Sequence, residues 1–141
     1  LAQLIVTGHA NFSSGLLSSV KLITGLDEKF TAVDFLESMG AEALNQELQA
    51  KIQETNDDVL IFTDLPGGTP FNQSVLIKTT LTDRTIEVVS GTNLPMLVEA
   101  SMMDQQPIGV LLTSLINTGQ DNVMYYQQKS TQKVTASDDG I

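Results

Sequence analysis

The chain has 141 residues, a formal net charge of −10, 41% apolar residues, one histidine and no cysteine. This excludes a disulfide framework, thiol catalysis, a cysteine zinc site and a multi-histidine metal centre within one chain, and the negative surface is wrong for nucleic acid or an anionic membrane. No apolar run approaches the roughly 20 residues of a membrane span, and the opening "LAQLIVTGHA" has no basic n-region, so neither membrane insertion nor a signal peptide is expected and the compartment is read as the cytoplasm.

In chain order, residues 3–7, "QLIVT", form a short apolar run that ends in Gly8 and predicts a buried strand. From Phe12 the period changes. Phe12, Leu16, Val20 and Ile23 fall at helical spacing, and Gly25 ends that helix. Residues 31–36, "TAVDFL", read as a second strand, and residues 40–55 as an amphipathic helix with Leu44, Leu48 and Ile52 on one face. "DVLIFTD", 58–64, is a third strand, apolar inside and bounded by acids. "PGG" breaks it, and a helix follows over Thr69–Thr80, with Thr69 read as its N-cap and Pro70 as its first residue. Residues 86–90, "IEVVS", predict a fourth strand. Asn93 then caps a short helix, and a longer helix after Pro107 carries Ile108, Leu111, Leu112, Leu115 and Ile116 as its stripe. The polar stretch beyond Lys129 reads as a last edge strand or a tail.

Strands alternating with helices at this spacing predict one α/β domain over residues 1–141, a parallel sheet with helices on both faces. Such a sheet carries its site at the carboxyl ends of its strands, near the point where strand order reverses. That rule selects Gly8-His9 after the first strand and Asp64 with Gly67-Gly68 after the third. Charge agrees: residues 1–26 contain no acid and residues 59–82 only Asp64, whereas residues 27–58 hold nine acids.

If the first and third strands are neighbours, the Asp64 carboxylate reaches His9, fixes its tautomer and raises the basicity of the other ring nitrogen. The helix starts at Asn11, Phe12 and Ser13 and at Gly67, Gly68 and Thr69 are the candidates for holding a phosphoryl group. A histidine that receives and passes on phosphate needs no metal and no cofactor, and none is expected. "PGGTP" is neither a Walker loop nor a dinucleotide fingerprint. A Ser-His-Asp hydrolase would need a nucleophile among Ser13, Ser14, Thr69 and Ser74, but the chain has no GxSxG elbow. A flavodoxin-like module that binds a ligand phosphate without using His9 is a further alternative.

Three blocks, "LIVTGHANFSSGLLSSVKLITG", "VLIFTDLPGGTPFN" and "VVSGTNLPMLVEA", resemble in order and spacing the IIA component of the mannose-family phosphoenolpyruvate:sugar phosphotransferase system, over residues 3–128. The opening block looks closest to the N-acetylgalactosamine or galactosamine branch. The resemblance implies that His9 is the phosphorylation site, Asp64 its hydrogen-bonding partner and Thr69 the family's hydroxyl residue after the Gly-Gly turn. It implies four parallel strands and a fifth, antiparallel strand, here residues 130–137, exchanged within a homodimer. It also implies a phosphoryl donor, the phosphocarrier protein HPr, and an acceptor, the IIB component, which serves the membrane components IIC and IID. Two positions depart from the family. Ala10 stands where the family often has Gly, which argues against a positive φ there, and Leu65-Pro66 links Asp64 to the glycines where a bulky aromatic is expected. The phosphotransfer subunit of dihydroxyacetone kinase also uses a histidine after its first strand and matches "GGTPFN" less well.

Overall fold

The structure, a computed structural model, describes residues 1–129. Four strands, β1 (Ala2–His9), β2 (Phe30–Phe35), β3 (Asp58–Thr63) and β4 (Ile86–Val89), form one parallel sheet in the order β2-β1-β3-β4. The order runs outward from β1 in both directions, so strand order reverses between β1 and β3. Five helices cover the sheet: α1 (Phe12–Thr24), α2 (Ala41–Ile52), α3 (Thr69–Thr80), α4 (Leu94–Met103) and α5 (Ile108–Asp121).

Alternation along the strands sorts the core into two layers. On one face Leu4, Val6, Leu60 and Phe62 pack with Val20, Leu97, Leu111 and Leu115, from α1, α4 and α5. On the other, Ile5, Val33, Val59 and Ile61 pack with Leu44, Leu48 and Ile52 of α2 and Ile77 of α3. This burial is the main stabilising term, about 25 cal/mol per Å² of apolar surface. Lys29, in a 3-10 turn over Asp27–Lys29, donates to the Ser101 carbonyl and the Asp104 carboxylate, both at 2.9 Å, and fastens the end of the α1 connection to α4.

The sequence places β1 to β4 and all five helices to within a few residues. In α1, Val20 is buried and Phe12 and Leu16 pack against the core as the spacing predicts, and Ser13 and Leu17 widen the buried face on one side. The N-cap of α3 is Gly68, not Thr69; Thr69 is its first residue and Pro70 its second. The expected fifth strand, 130–137, lies outside the described residues. No helix among them is long and apolar enough to cross a membrane.

Candidate functional site

His9 is the last residue of β1, and Asp64 follows β3 directly. The two strands are hydrogen-bonded neighbours, with Thr7 opposite Thr63. Asp64 Oδ2 accepts from His9 twice, from the ring Nδ1 at 2.8 Å and from the backbone N–H at 2.9 Å. One carboxylate oxygen thus fixes both the ring and the main chain of the same residue. Its side chain is 13% exposed, that of His9 47%, so the pair is anchored inside and open outside. Burial pushes the Asp64 carboxyl up, but the His9 backbone and ring bonds, with the charge of the ring, outweigh it and hold Asp64 below the usual carboxylate range. An ionised carboxylate only accepts, so Nδ1 carries the proton, and in the neutral ring Nε2 keeps its lone pair.

Two further surfaces bound the ring. The Phe35 ring meets it edge-on, with centroids 5.8 Å apart, at the register position opposite His9 on β2. Gly68 lies against the ring at its Cε1 edge. A Cβ there would stand 2.9 Å from His9 Cε1 and 3.7 Å from Nε2, so the absence of a side chain is what lets the α3 start approach the ring. Gly67 supplies the turn with φ of 81°. The Asn72 side chain donates to the Gly67 carbonyl at 2.9 Å and holds the turn to α3. No side chain caps α3, and its first intrahelical bond runs from Asn72 N to Gly68 O. The N–H groups of Thr69 and Phe71 precede that bond and have no intrahelical acceptor, and a helix start of this kind favours an anion.

The α1 start is arranged differently. Phe12 packs its ring onto Gly8, where a Cβ would be 2.5 Å from Phe12 Cδ2, so its side chain belongs to the core. The side chains of Asn11 and Ser13, at the helix start expected to hold a phosphoryl group, are engaged by Asp34 of β2. Ser14 joins them through its N–H, at 3.0 Å, and its hydroxyl, at 2.6 Å. A second difference sits between the strand and the helix. Ala10 has φ of 51°, a left-handed conformation despite its Cβ, and its N–H donates to the Phe35 carbonyl at 2.7 Å. The tertiary pull of β2 overrides the local preference that argues against positive φ there. Asp34 and Phe35 are the two residues near His9 that sequence reasoning does not single out. The signal was present in "TAVDFL": an acid and an aromatic at the carboxyl end of another strand, the same positional rule that selects Asp64.

His9, Asp64, Gly67, Gly68 and Thr69 therefore come together. No group of three or more His, Cys, Asp or Glu residues among the described ones is placed to hold a metal ion. The His9 side chain is open to solvent. A concavity of about 270 Å³ beside β4, bordered by Ser90, Met96, Ile116 and Val123, does not include His9. An exposed imidazole, oriented by Asp64, is accessible to a reaction partner as large as another protein.

Residues 3–112 match the model of the EIIA-man family, described as PTS system fructose IIA component. The chain is 27% identical to the sorbose-specific EIIA component of Lacticaseibacillus casei, over 96% of this chain and 99% of that one. It is 28% identical to the mannose-specific EIIAB component of Escherichia coli K12, over 92% of this chain, and spans only 41% of that relative's length. Among solved structures, phosphotransferase system component EIIA from Streptococcus agalactiae superposes with a TM-score of 0.84 at 32% identity, over 89% of this chain and 97% of that one.

Proposed function

Because the chain belongs to the EIIA-man family, the mannose-type IIA components of sugar phosphotransferase systems, we propose that it is a phosphocarrier in which His9 takes a phosphoryl group from phospho-HPr and hands it to a IIB component. The observation that carries this reading is the 2.8 Å bond from Nδ1 to Asp64, which leaves Nε2 free beside Gly68. The Nε2 lone pair attacks phosphorus, the N–P bond to the donor histidine breaks, and the electron pair leaves with the donor imidazole. The donor ring keeps the proton on its own second nitrogen and leaves neutral, so no proton has to move between the two rings. The His9 ring becomes a cation that keeps its Nδ1 proton, and Asp64 lies against it as the counter-charge. The N–H groups of Thr69 and Phe71 serve the phosphoryl oxygens. The side chains of Asn11 and Ser13 serve Asp34 and not the phosphate.

The same reading includes service to membrane components IIC and IID through IIB, action in the cytoplasm, and a homodimer. The outer edge of β4, unpaired among the described residues, supports the dimer, since a bare strand edge invites a strand from another chain. The sugar is not written into a component that handles only phosphate.

The test is phosphoryl uptake from phosphoenolpyruvate through enzyme I and HPr. We expect one acid-labile phosphate per chain, none in His9→Ala, and uptake slowed about 10²- to 10⁴-fold in Asp64→Asn. Acid-labile label retained by His9→Ala would remove His9 from its role.

A further inference from the structure

The turn that carries His9 into α1 is short and under strain. The left-handed region brings the Cβ of a non-glycine residue against the following carbonyl oxygen, and Ala10 lies there with φ of 51°. Something must hold it. One hold is the bond from Ala10 N to the Phe35 carbonyl. The other comes from the neighbouring residue. Asp34 stands opposite Gly8 in the sheet, on the α1 side. Its Oδ1 accepts from the Ser13 hydroxyl and from Ser14 N at 3.0 Å. Its Oδ2 accepts from the Ser14 hydroxyl at 2.6 Å and from Asn11 Nδ2 at 3.3 Å. Asn11, the residue at the N-cap position, makes no side-chain cap of its own. The helix start is capped from another strand instead. Burial pushes the Asp34 carboxyl up, yet the bonds from Ser13, Ser14 and Asn11 outweigh it and keep it below the usual range.

We infer that Asp34 is a positioning residue for phosphoryl acceptance: by clamping Asn11, Ser13 and Ser14 it locks the strained Ala10 turn that presents His9, and it fills the α1 start with an internal anion. The second effect matters as much as the first. Two helix starts lie near one histidine, and both would attract phosphate. With a carboxylate already seated at the α1 start, the α3 start, which has no such anion, is the more favourable of the two for the phosphoryl group. The donors on Asp34 are matched to a charged acceptor. An amide in its place accepts through one atom only and turns its own N–H groups toward other donors.

The inference rests on the phosphocarrier reading, and the experiment separates the two. Wild type and Asp34→Asn are compared in single-turnover phosphorylation at saturating phospho-HPr, with the half-saturating donor concentration measured alongside and ¹⁵N NMR of the His9 ring as an independent readout. The expected result is a fall of about 10- to 100-fold in the maximal rate, the scale of a misplaced reacting group, with half-saturation unchanged and the ring signals shifted toward a tautomer mixture. A helix cap with no positioning role would lower the unfolding midpoint and leave rate and ring signals alone; that outcome, in a folded Asp34→Asn, overturns the inference. Should Asp34→Asn fail to fold, the double variant Ser13→Ala, Ser14→Ala keeps the carboxylate and removes two hydroxyl donors. It is expected to slow transfer in the same direction, and a wild-type rate in it is equally fatal. If wild type itself takes up no phosphate on His9, the phosphocarrier reading fails. Unequal ring signals in wild type and Asp34→Asn would then still report the clamp.

Discussion

At the scale of single residues, the site depends on a side chain that is missing. Gly68 meets the His9 ring so closely that a methyl group would overlap Cε1 at 2.9 Å, with the Leu65 carbonyl oxygen also close, at 3.3 Å. Neither neighbour can yield freely. The ring is tied to Asp64, and the carbonyl accepts the Gly68 N–H at 3.1 Å. Gly68→Ala is therefore expected to push the ring off Asp64 and slow phosphoryl uptake by about 10- to 100-fold, while the urea midpoint moves little because the core is untouched. Single-turnover rates and urea unfolding of the same preparation check both halves. A Gly68→Ala protein that transfers at the wild-type rate would mean that the close approach has no catalytic consequence. The His9–Asp64 pair is legible in the sequence because strand-end position and chain-wide scarcity of histidine both point to it. The position of Asp34 is marked by the same strand-end rule, but its role is not, because nothing in the spacing says that it serves the polar groups of α1, 20 to 23 residues earlier. Spacing along one element cannot reveal a bond between two.

Elements were easiest to read where their punctuation is local. Gly67, Gly68 and Pro70 stop one strand and open one helix within a few residues, and α3 spans Thr69–Thr80 as the sequence predicts. What shifts is the cap, since the chain must leave the turn before Thr69 to bring Gly68 against the ring. Asn93 shows the opposite case, a cap legible from sequence that also does something illegible. Its Oδ1 accepts from Met96 N at 3.3 Å, and its Nδ2 donates to the Gly119 carbonyl in α5 at 2.9 Å. One amide starts α4 and joins it to α5. Gly119 helps by admitting Met96, whose Sδ would stand 2.6 Å from any Cβ there. Asn93→Ala loses both bonds and is expected to destabilise the protein by about 1–3 kcal/mol, cap and tertiary bond together. Asn93→Asp keeps the cap acceptor and loses the donor to α5, so it should fall between. Urea denaturation of the three proteins measures this, and equal midpoints would contradict it.

For the whole molecule, acid is the informative stress. Asp34 and Asp64 are both held below the ordinary carboxylate value. A group lowered on folding contributes stability that is fully present above its unfolded value, about 4, and lost as pH falls through the lowered folded value. The urea midpoint should therefore hold down to about pH 5 as far as these two groups are concerned. It should then drop below about pH 4, less steeply in Asp34→Asn and Asp64→Asn than in wild type. Identical acid limbs in all three proteins would show that neither carboxylate is coupled to folding. The proposed assembly has its own test. Val123, Met124, Tyr125 and Tyr126 leave α5 largely exposed, 67–79% each, and the outer edge of β4 has no strand partner among the described residues. A chain ending at Gln128 should sediment as monomer or aggregate, whereas an unchanged dimer would exclude exchange of residues 130–137 as the main tie.

The left-handed turn at Ala10 has one more consequence, and it concerns chirality. At φ of 51° the backbone adopts there the conformation that a mirror-image residue prefers. Glycine is the one achiral residue that ribosomes supply for such a place, and this chain does without it. A protein assembled by chemical ligation with D-alanine at position 10 would keep the methyl group, lose the steric conflict between Cβ and carbonyl, and retain the stiffness that glycine surrenders. At this one peptide unit, beside the only imidazole in the chain, the fold of an L-polypeptide is better matched by a D-residue than by its own.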